Sequence, residues 1–304
     1  MTAVSVRGLT KSYGPTPVVR DVSFAVEDGE IVAILGPNGA GKTTTLEILE
    51  GYRKRDGGEV TVLEVDPTWG GRGWRAQIGM VLQDTSLDDQ LTVAETISLY
   101  AGLYPDPLPC REALELVSLT KAAGKRVGSL SGGQRRRLDL AVGVVGRPRL
   151  LFLDEPTTGF DPEVRRRCWE VIDSLRREGM AVLLTTHYME EASRLADRLV
   201  VIANGRVIAS GTPEDLIVRY APESVIRLPR SLGCSAEFLP SELRAGTASV
   251  AGVIELRTRA LTETLGTLID WARASKSSLD GMIVSRPDLE DVYLAMIGEN
   301  ANAA

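Results

Sequence analysis

A chain of 304 residues, 43% of them hydrophobic, buries roughly three quarters of its unfolded surface and needs no disulfides for a core; Cys110, Cys168 and Cys234 form no CxxC pair and read as reduced thiols. With 35 Lys and Arg against 41 Asp and Glu, the formal charge of −6 argues against non-specific nucleic-acid binding, which calls for a strongly basic domain. No apolar run approaches the roughly 20 residues that cross a bilayer, and the first residues lack the apolar core of a secretory signal, so the chain is expected to be soluble and any membrane part of its process to lie on another chain.

The N-terminal segments AVSVRGLTKSYG, VVRDVSFAVEDG and GEVTVLEVD alternate apolar and polar residues and turn at glycines, the pattern of antiparallel strands. EIVAILG is a buried strand that runs into Gly36, Pro37, Asn38, Gly39, Ala40 and Gly41, with Lys42, Thr43 and Thr44 at the head of a helix. The spacing Gly36-x-x-x-x-Gly41-Lys42-Thr43 fits a phosphate loop in its proper context, strand before and helix after. Glycines let backbone N–H groups curl around a phosphate chain, and the helix N-terminus adds positive potential. Lys42 is placed to reach β- and γ-phosphates, the Thr43 hydroxyl to ligate Mg²⁺, and Thr44 to meet the α-phosphate. Residues 92–120 read as mostly helical.

SLSGGQRRRLDLAVG follows. Ser131 and Gln134 fit a helix capping box, which leaves Gly132 and Gly133 without a purpose; a serine hydroxyl and glycine N–H groups at a helix start make a second anion site. The runs Arg135–Arg137 and Arg165–Arg167 read as solvated helix faces. LLFLDEP is a buried strand that delivers Asp154 and Glu155 at its carboxyl end, the edge where open α/β sheets bind ligands. Asp154 suits the Mg²⁺ shell, and Glu155 suits taking a proton from an attacking water. DPEVRRRCWEVIDSLRREG is a helix with Asp161 as N-cap, Pro162 at its first position and Gly179 past its end. MAVLLTT is another buried strand, followed by His187, the sole histidine, and by the helix MEEASRLADR. Apolar strands alternating with helices predict an α/β fold with a mostly parallel sheet covered on both faces. After about Pro222 the texture changes to a small α+β domain, with strands near Val225–Leu228 and Val253–Leu256. Its last helix carries Leu289, Val292, Tyr293 and Met296 on one face, for packing within that domain or for a dimer contact.

In this order, GPNGAGKTT, LSGGQ, LLFLDEP and a histidine after a strand resemble an ATP-binding-cassette (ABC) ATPase over residues 1 to about 220. The resemblance implies a P-loop NTPase core with an antiparallel β subdomain and a helical subdomain at about 84–148, followed by the accessory domain 221–304. It implies ATP and Mg²⁺ as cofactors and two cassettes packed head to tail. Ser131, Gly132, Gly133 and Gln134 of one would then close over the ATP held by the phosphate loop of the other. One copy of each motif means that a second copy of the chain, or a related ATPase subunit, is needed. Tyr13 in KSYGPTPVV resembles the aromatic that stacks on adenine. Gln83, ending IGMVLQ, resembles the glutamine that senses Mg²⁺ and the attacking water and links to the membrane subunit. Asp161 resembles the interface-loop aspartate, and His187 the switch histidine on the γ-phosphate. The implied catalytic set is Glu155, His187, Gln83 and Lys42, and the metal set Thr43, Gln83 and Asp154.

Phe160, where leucine is common, and Arg55, near a usual proline, depart from the family pattern without removing a chemical group. RPDLEDVYLAMIGEN and SLDDQLTVAETISLYAGLYP resemble segments of the ATPases that serve ABC-2 type exporters, including the daunorubicin and multidrug-resistance group. That implies drug or antibiotic efflux through a separate ABC-2 type permease, with the chain peripheral at the cytoplasmic face of the cell membrane. Lipid or polysaccharide export is the alternative cargo class. A non-transport cassette would usually carry tandem cassettes or a long coiled coil, and neither is present. The presence of Glu155 and His187 argues against a catalytically dead cassette.

Overall fold

The alternating N-terminal residues form an antiparallel hairpin in the computed structural model, which describes residues 1–82, 86–220, 223–229, 239–244, 247–250, 253–275 and 277–301. β1 (Thr2–Tyr13) pairs with β2 (Thr16–Glu27) and turns at Gly14. Next come β3 (Ile31–Leu35), α1 (Lys42–Leu49) and β4 (Gly57–Val62), and β4 returns to the other edge of β1, giving the order β2-β1-β4. The inward residues of these strands, Val4, Val6, Val22 and Val26 among them, are buried.

A short α2 (Arg72–Arg75) precedes β5 (Ile78–Val81). The helical stretch holds α3 (Val93–Ala101), α4 (Cys110–Leu116) and α5 (Gly132–Val144). The parallel layer is completed by β6 (Leu150–Asp154), α6 (Pro162–Arg177), β7 (Ala181–Thr186), α7 (Met189–Leu195), β8 (Arg198–Ala203) and β9 (Arg206–Gly211). The six strands lie in the order β5-β6-β7-β3-β8-β9. All neighbours are parallel except β8 and β9, a hairpin that turns at Asn204 and Gly205, both at positive φ. Every residue of β3, β6 and β7 is buried, as continuous apolar runs require in a sheet covered on both faces. One apolar cluster joins the two sheets through Val4, Val22, Ile34, Phe152, Leu183 and Val200.

Contacts divide the chain into two compact units, Met1–Pro213 and Glu214–Ala304. α8 (Pro213–Tyr220), all but its first residue, falls with the second unit, although the sequence texture grouped it with the first. The second unit continues with β10 (Ser224–Pro229), α9 (Ser241–Arg244), β11 (Thr247–Val250), β12 (Val253–Thr258), α10 (Leu261–Ser275), β13 (Ile283–Ser285) and α11 (Leu289–Ala301). Its antiparallel sheet has the order β11-β12-β10-β13, and its own core contains Ile226, Leu228, Ile254, Leu256 and Leu268. Leu289, Val292 and Met296 of α11 are buried. Cys110 and Cys168 are free thiols, and Cys234 lies outside the described residues. Among the described residues no helix is long and apolar enough to cross a membrane.

The arginine runs are not solvated faces throughout. Arg137 is buried, with its guanidinium donating to the carbonyls of Val117 and Ser118 at 3.0 Å each, beyond the end of α4. Arg136 is nearly as deep, and Arg165 is half-buried with its guanidinium 4.4 Å from the Tyr188 ring centre. Carbonyl oxygens and a ring face supply what water would otherwise give a planar cation.

Candidate active site

Three neighbouring strands, β6, β7 and β3, bring the chemistry to one sheet edge. The loop from Gly36 to Gly41 leaves β3 through a space that admits no side chain at its ends. A Cβ on Gly36 would stand 2.3 Å from the Ile202 carbonyl oxygen, and one on Gly41, at φ 101°, would stand 2.9 Å from that of Val18. Lys42 opens α1 and is buried; its ammonium donates back across the loop to the carbonyls of Gly36 (2.8 Å) and Pro37 (3.3 Å). Burial lowers its pKa, and the charges of Glu155 and Asp154 oppose that shift.

The Thr43 hydroxyl donates to Asp154 Oδ2 at 3.3 Å, and the Thr185 hydroxyl on β7 donates to Asp154 Oδ1. The Thr43 hydroxyl and the Asp154 carboxylate together are a hard-oxygen pair suited to Mg²⁺, which usually takes one or two protein oxygens and completes its shell with phosphate and water. Among the described residues no group of three or more His, Cys, Asp and Glu could hold a metal by itself.

Glu155 departs from strand geometry with φ 47°, a left-handed conformation uncommon outside glycine. Its N–H donates to the Thr185 carbonyl and hydroxyl, both at 3.1 Å. The turn projects the carboxylate off the sheet edge, where Oε2 accepts from the Thr158 hydroxyl at 3.1 Å and lies 3.3 Å from His187 Nδ1. His187 is 40% exposed in its side chain, and its ring lies 4.1 Å from that of Tyr188.

The second glycine turn has the predicted cap. Ser131 Oγ accepts from the Gln134 N–H at 3.3 Å, and Gln134 Oε1 accepts from the Ser131 N–H at 3.2 Å. Gln134 thus serves its own helix. Gly132 faces open space, while a Cβ on Gly133 would meet Val164 Cγ1 at 2.8 Å. Asp161 caps α6 through the N–H groups of Glu163 (3.0 Å) and Val164 (2.9 Å). Gly132, Gly133, Glu155, Phe160 and Asp161 border a cavity of about 590 Å³, and no residue of the phosphate loop lines it.

Tyr13, at the tip of the β1–β2 hairpin, is exposed, with Lys11 Nζ 5.8 Å and the Arg53 guanidinium 5.2 Å from its ring centre. Gln83 lies outside the described residues, although Leu82 before it is described. The structure thus brings Lys42, Thr43, Asp154, Glu155 and His187 to one edge. Gly132, Gly133 and Asp161 line the cavity, Ser131 caps the helix that begins at Gly132, and Tyr13 lies at a hairpin tip. Sequence reasoning missed Thr185 and Thr158; Thr185 sits at the carboxyl end of a strand already read as buried, which was the available signal.

The family model described as "ABC transporter" matches residues 19–158, and one described as "ABC transporter domain-containing protein-like, C-terminal domain" matches residues 224–287. The Doxorubicin resistance ATP-binding protein DrrA of Mycobacterium tuberculosis is 37% identical over 311 residues, covering 97% of this chain and 93% of the relative. The chain belongs to the ABC transporter ATP-binding family.

It is an ATPase of that family. The Daunorubicin resistance ATP-binding protein DrrA2 of Streptomyces coeruleorubidus is 37% identical over 318 residues, covering 99% of this chain and 98% of the relative. The Nod factor export ATP-binding protein I of Rhizobium etli is 39% identical over 308 residues, covering 98% of this chain and 94% of the relative. A solved ATP-binding subunit of an ABC transporter superposes with a TM-score of 0.65 at 28% identity, covering 72% of this chain and 93% of that one. A bacterial ABC transporter cassette solved as a dimer gives a TM-score of 0.62 at 25% identity, covering 69% of this chain and 98% of that one.

Proposed function

We propose that this ABC ATPase powers the efflux of drug-like or antibiotic molecules through a separate ABC-2 type permease, on which it sits at the cytoplasmic face of the membrane. The observation that carries the proposal is similarity over the whole chain, second unit included, to two drug-resistance ATP-binding proteins. Lipid or polysaccharide export is the second reading.

In this proposal ATP lies along the loop from Gly36 to Gly41, with Thr44 at the α-phosphate and its adenine against Tyr13. Lys42 exchanges its two carbonyl partners for the β- and γ-phosphates. Thr43, Asp154 and Gln83 would hold Mg²⁺, which when bound would supply charge neutralisation on the phosphates. Glu155 accepts the proton of the attacking water as its oxygen bonds to the γ-phosphorus and the β–γ bridging bond breaks. His187 orients Glu155 and contacts the γ-phosphate.

Ser131, Gly132 and Gly133 serve the phosphate loop of a second copy or related subunit. Support for this is the position of Gly132 and Gly133, with Asp161, at a cavity that the chain's own phosphate loop does not line. Closure of two cassettes over two ATP molecules would bias the permease between its states, since a ligand moves an equilibrium by its differential affinity. The test is daunorubicin uptake into inverted membrane vesicles containing the chain and a candidate ABC-2 type permease. ATP-dependent uptake that disappears with Glu155→Gln is expected, and uptake indifferent to that substitution overturns the proposal.

A further inference from the structure

Arg136 has the second place in the arginine run of α5, where an exposed side chain was expected, and its guanidinium is instead enclosed by backbone carbonyls. Nε donates to Pro156 O at 3.1 Å, and Nη2 donates to Asp154 O at 3.0 Å and Glu155 O at 3.4 Å. Nη1 donates to Leu82 O, the residue that leads into Gln83. The nearest carboxylate, Asp139, is 3.9 Å away, so neutral oxygens supply most of the coordination. Successive carbonyls at the end of a strand normally point to opposite sides. Here the left-handed Glu155, φ 47°, breaks the alternation, and the oxygens of residues 154–156 all reach one cation. A left-handed non-glycine residue persists only where its surroundings over-determine it. A five-donor planar fork matched to carbonyls from two chain segments does this better than a lysine could.

We propose that Arg136 is a positioning residue for hydrolysis: it holds the turn that aims the Glu155 carboxylate and locks the segment entering Gln83 to the same strand end. This rests on the reading of Glu155 as the proton acceptor. Arg136 touches neither nucleotide nor water in this role; it acts through Glu155 and the backbone at Leu82.

The test uses the purified full-length chain with Arg136→Gln, Arg136→Lys, Glu155→Gln and the double variant Arg136→Gln/Glu155→Gln. Single-turnover ATP hydrolysis, binding of a fluorescent ATP analogue with Mg²⁺, and thermal unfolding are measured on each. Arg136→Gln is expected to lower the hydrolysis rate about tenfold to a hundredfold, the range of one or two lost charge-assisted hydrogen bonds, with nucleotide affinity little changed. Arg136→Lys, which keeps the charge and some donors, recovers part of the rate. Adding Arg136→Gln to Glu155→Gln removes nothing further, since residues acting as a unit are non-additive. A normal rate in Arg136→Gln, a loss of affinity equal to the loss of rate, or multiplied losses in the double variant would overturn the proposal. If Arg136→Gln does not fold, Arg136→Lys carries the test: an unchanged rate, or a fall that multiplies with Glu155→Gln, overturns it. A normal rate in Glu155→Gln alone would instead sink the reading of Glu155.

Discussion

His187 Nδ1 lies 3.3 Å from Glu155 Oε2, on the oxygen that also accepts from the Thr158 hydroxyl at 3.1 Å. A hydroxyl donor and an imidazole nitrogen at ion-pair distance, both on one oxygen, restrain the carboxylate. Glu155→Gln keeps the shape but cannot take a proton, so turnover should fall about 10²–10⁴-fold with ATP binding intact. His187→Ala frees the carboxylate and should lower turnover roughly a hundredfold, the scale of one lost oriented hydrogen-bond partner. Phosphate release and equilibrium nucleotide binding, measured side by side, check both. Loss of binding in step with turnover would place these residues in ATP affinity.

Lys42 and Ser131 are assigned to sites on different chains, and substitution separates them. Lys42→Ala removes a charged donor from the chain's own phosphate loop and should weaken ATP binding by the monomer about tenfold to a hundredfold. Ser131→Arg should leave monomer affinity little changed and block ATP-driven dimerisation through the bulk it places at the glycine turn. Equilibrium ATP binding by each variant monomer, and sizing chromatography of both variants in a Glu155→Gln background with ATP, are the measurements. Equal losses of monomer affinity would remove the assignment across chains.

Glu50, buried at the end of α1, has its pKa pushed up to about 8 by burial, with the charges of Asp154 and Glu47 adding to the shift. The folded chain therefore holds a proton there that the unfolded chain has lost. This contribution to stability is fully present below the ordinary Glu value of about 4.5 and is lost as pH rises through about 8. Glu50→Gln should flatten the dependence. Its melting temperature should match the parent near pH 4 and exceed it by roughly 4 °C above pH 8, for a gain of about 2 kcal/mol. Scanning calorimetry across that range decides it; a parallel offset at every pH would assign the effect to packing.

Glu191 on α7 is fully buried and accepts from the Thr157 hydroxyl at 2.8 Å and the Trp169 indole N–H at 3.0 Å. It fastens the loop after Glu155 and helix α6 to the helix after His187. Glu191→Ala leaves two buried donors without an acceptor, at a cost of about 2–4 kcal/mol, and should lower the melting temperature by roughly 5–10 °C. A melting temperature within a degree of the parent would contradict that account.

Much of this was legible in the residues. The phosphate loop and the acid-bearing strand are chemistry at fixed spacing between apolar runs, and such patterns survive without tertiary knowledge. The caps at Ser131 and Asp161 are equally local, and both formed as read. Arg136 was not legible: three arginines in a row look alike whether water or carbonyls surround them, and Leu82 O comes from a segment 54 residues earlier. Arg55 holds Asp66 through two hydrogen bonds of 2.9 and 2.6 Å, a partner that only the fold reveals. Gly36 was correctly singled out as glycine, yet its tightest constraint is the Ile202 carbonyl on a strand far along the chain.

The central position of β3 governs how the molecule is made. Its partners are β7, where Ile31 faces Val182, and β8, where Val32 faces Arg198. The strand that carries the phosphate loop thus leaves the ribosome about 150 residues ahead of the strands that flank it. At synthesis rates of about 5–20 residues per second, the interval is roughly 8–30 seconds. Throughout it Ile31–Leu35 is an apolar segment with no partner on either edge, a hazard for aggregation. Nascent chains arrested before β7 should bind no nucleotide, and ATP should begin to protect the chain from proteolysis only once β8 has emerged.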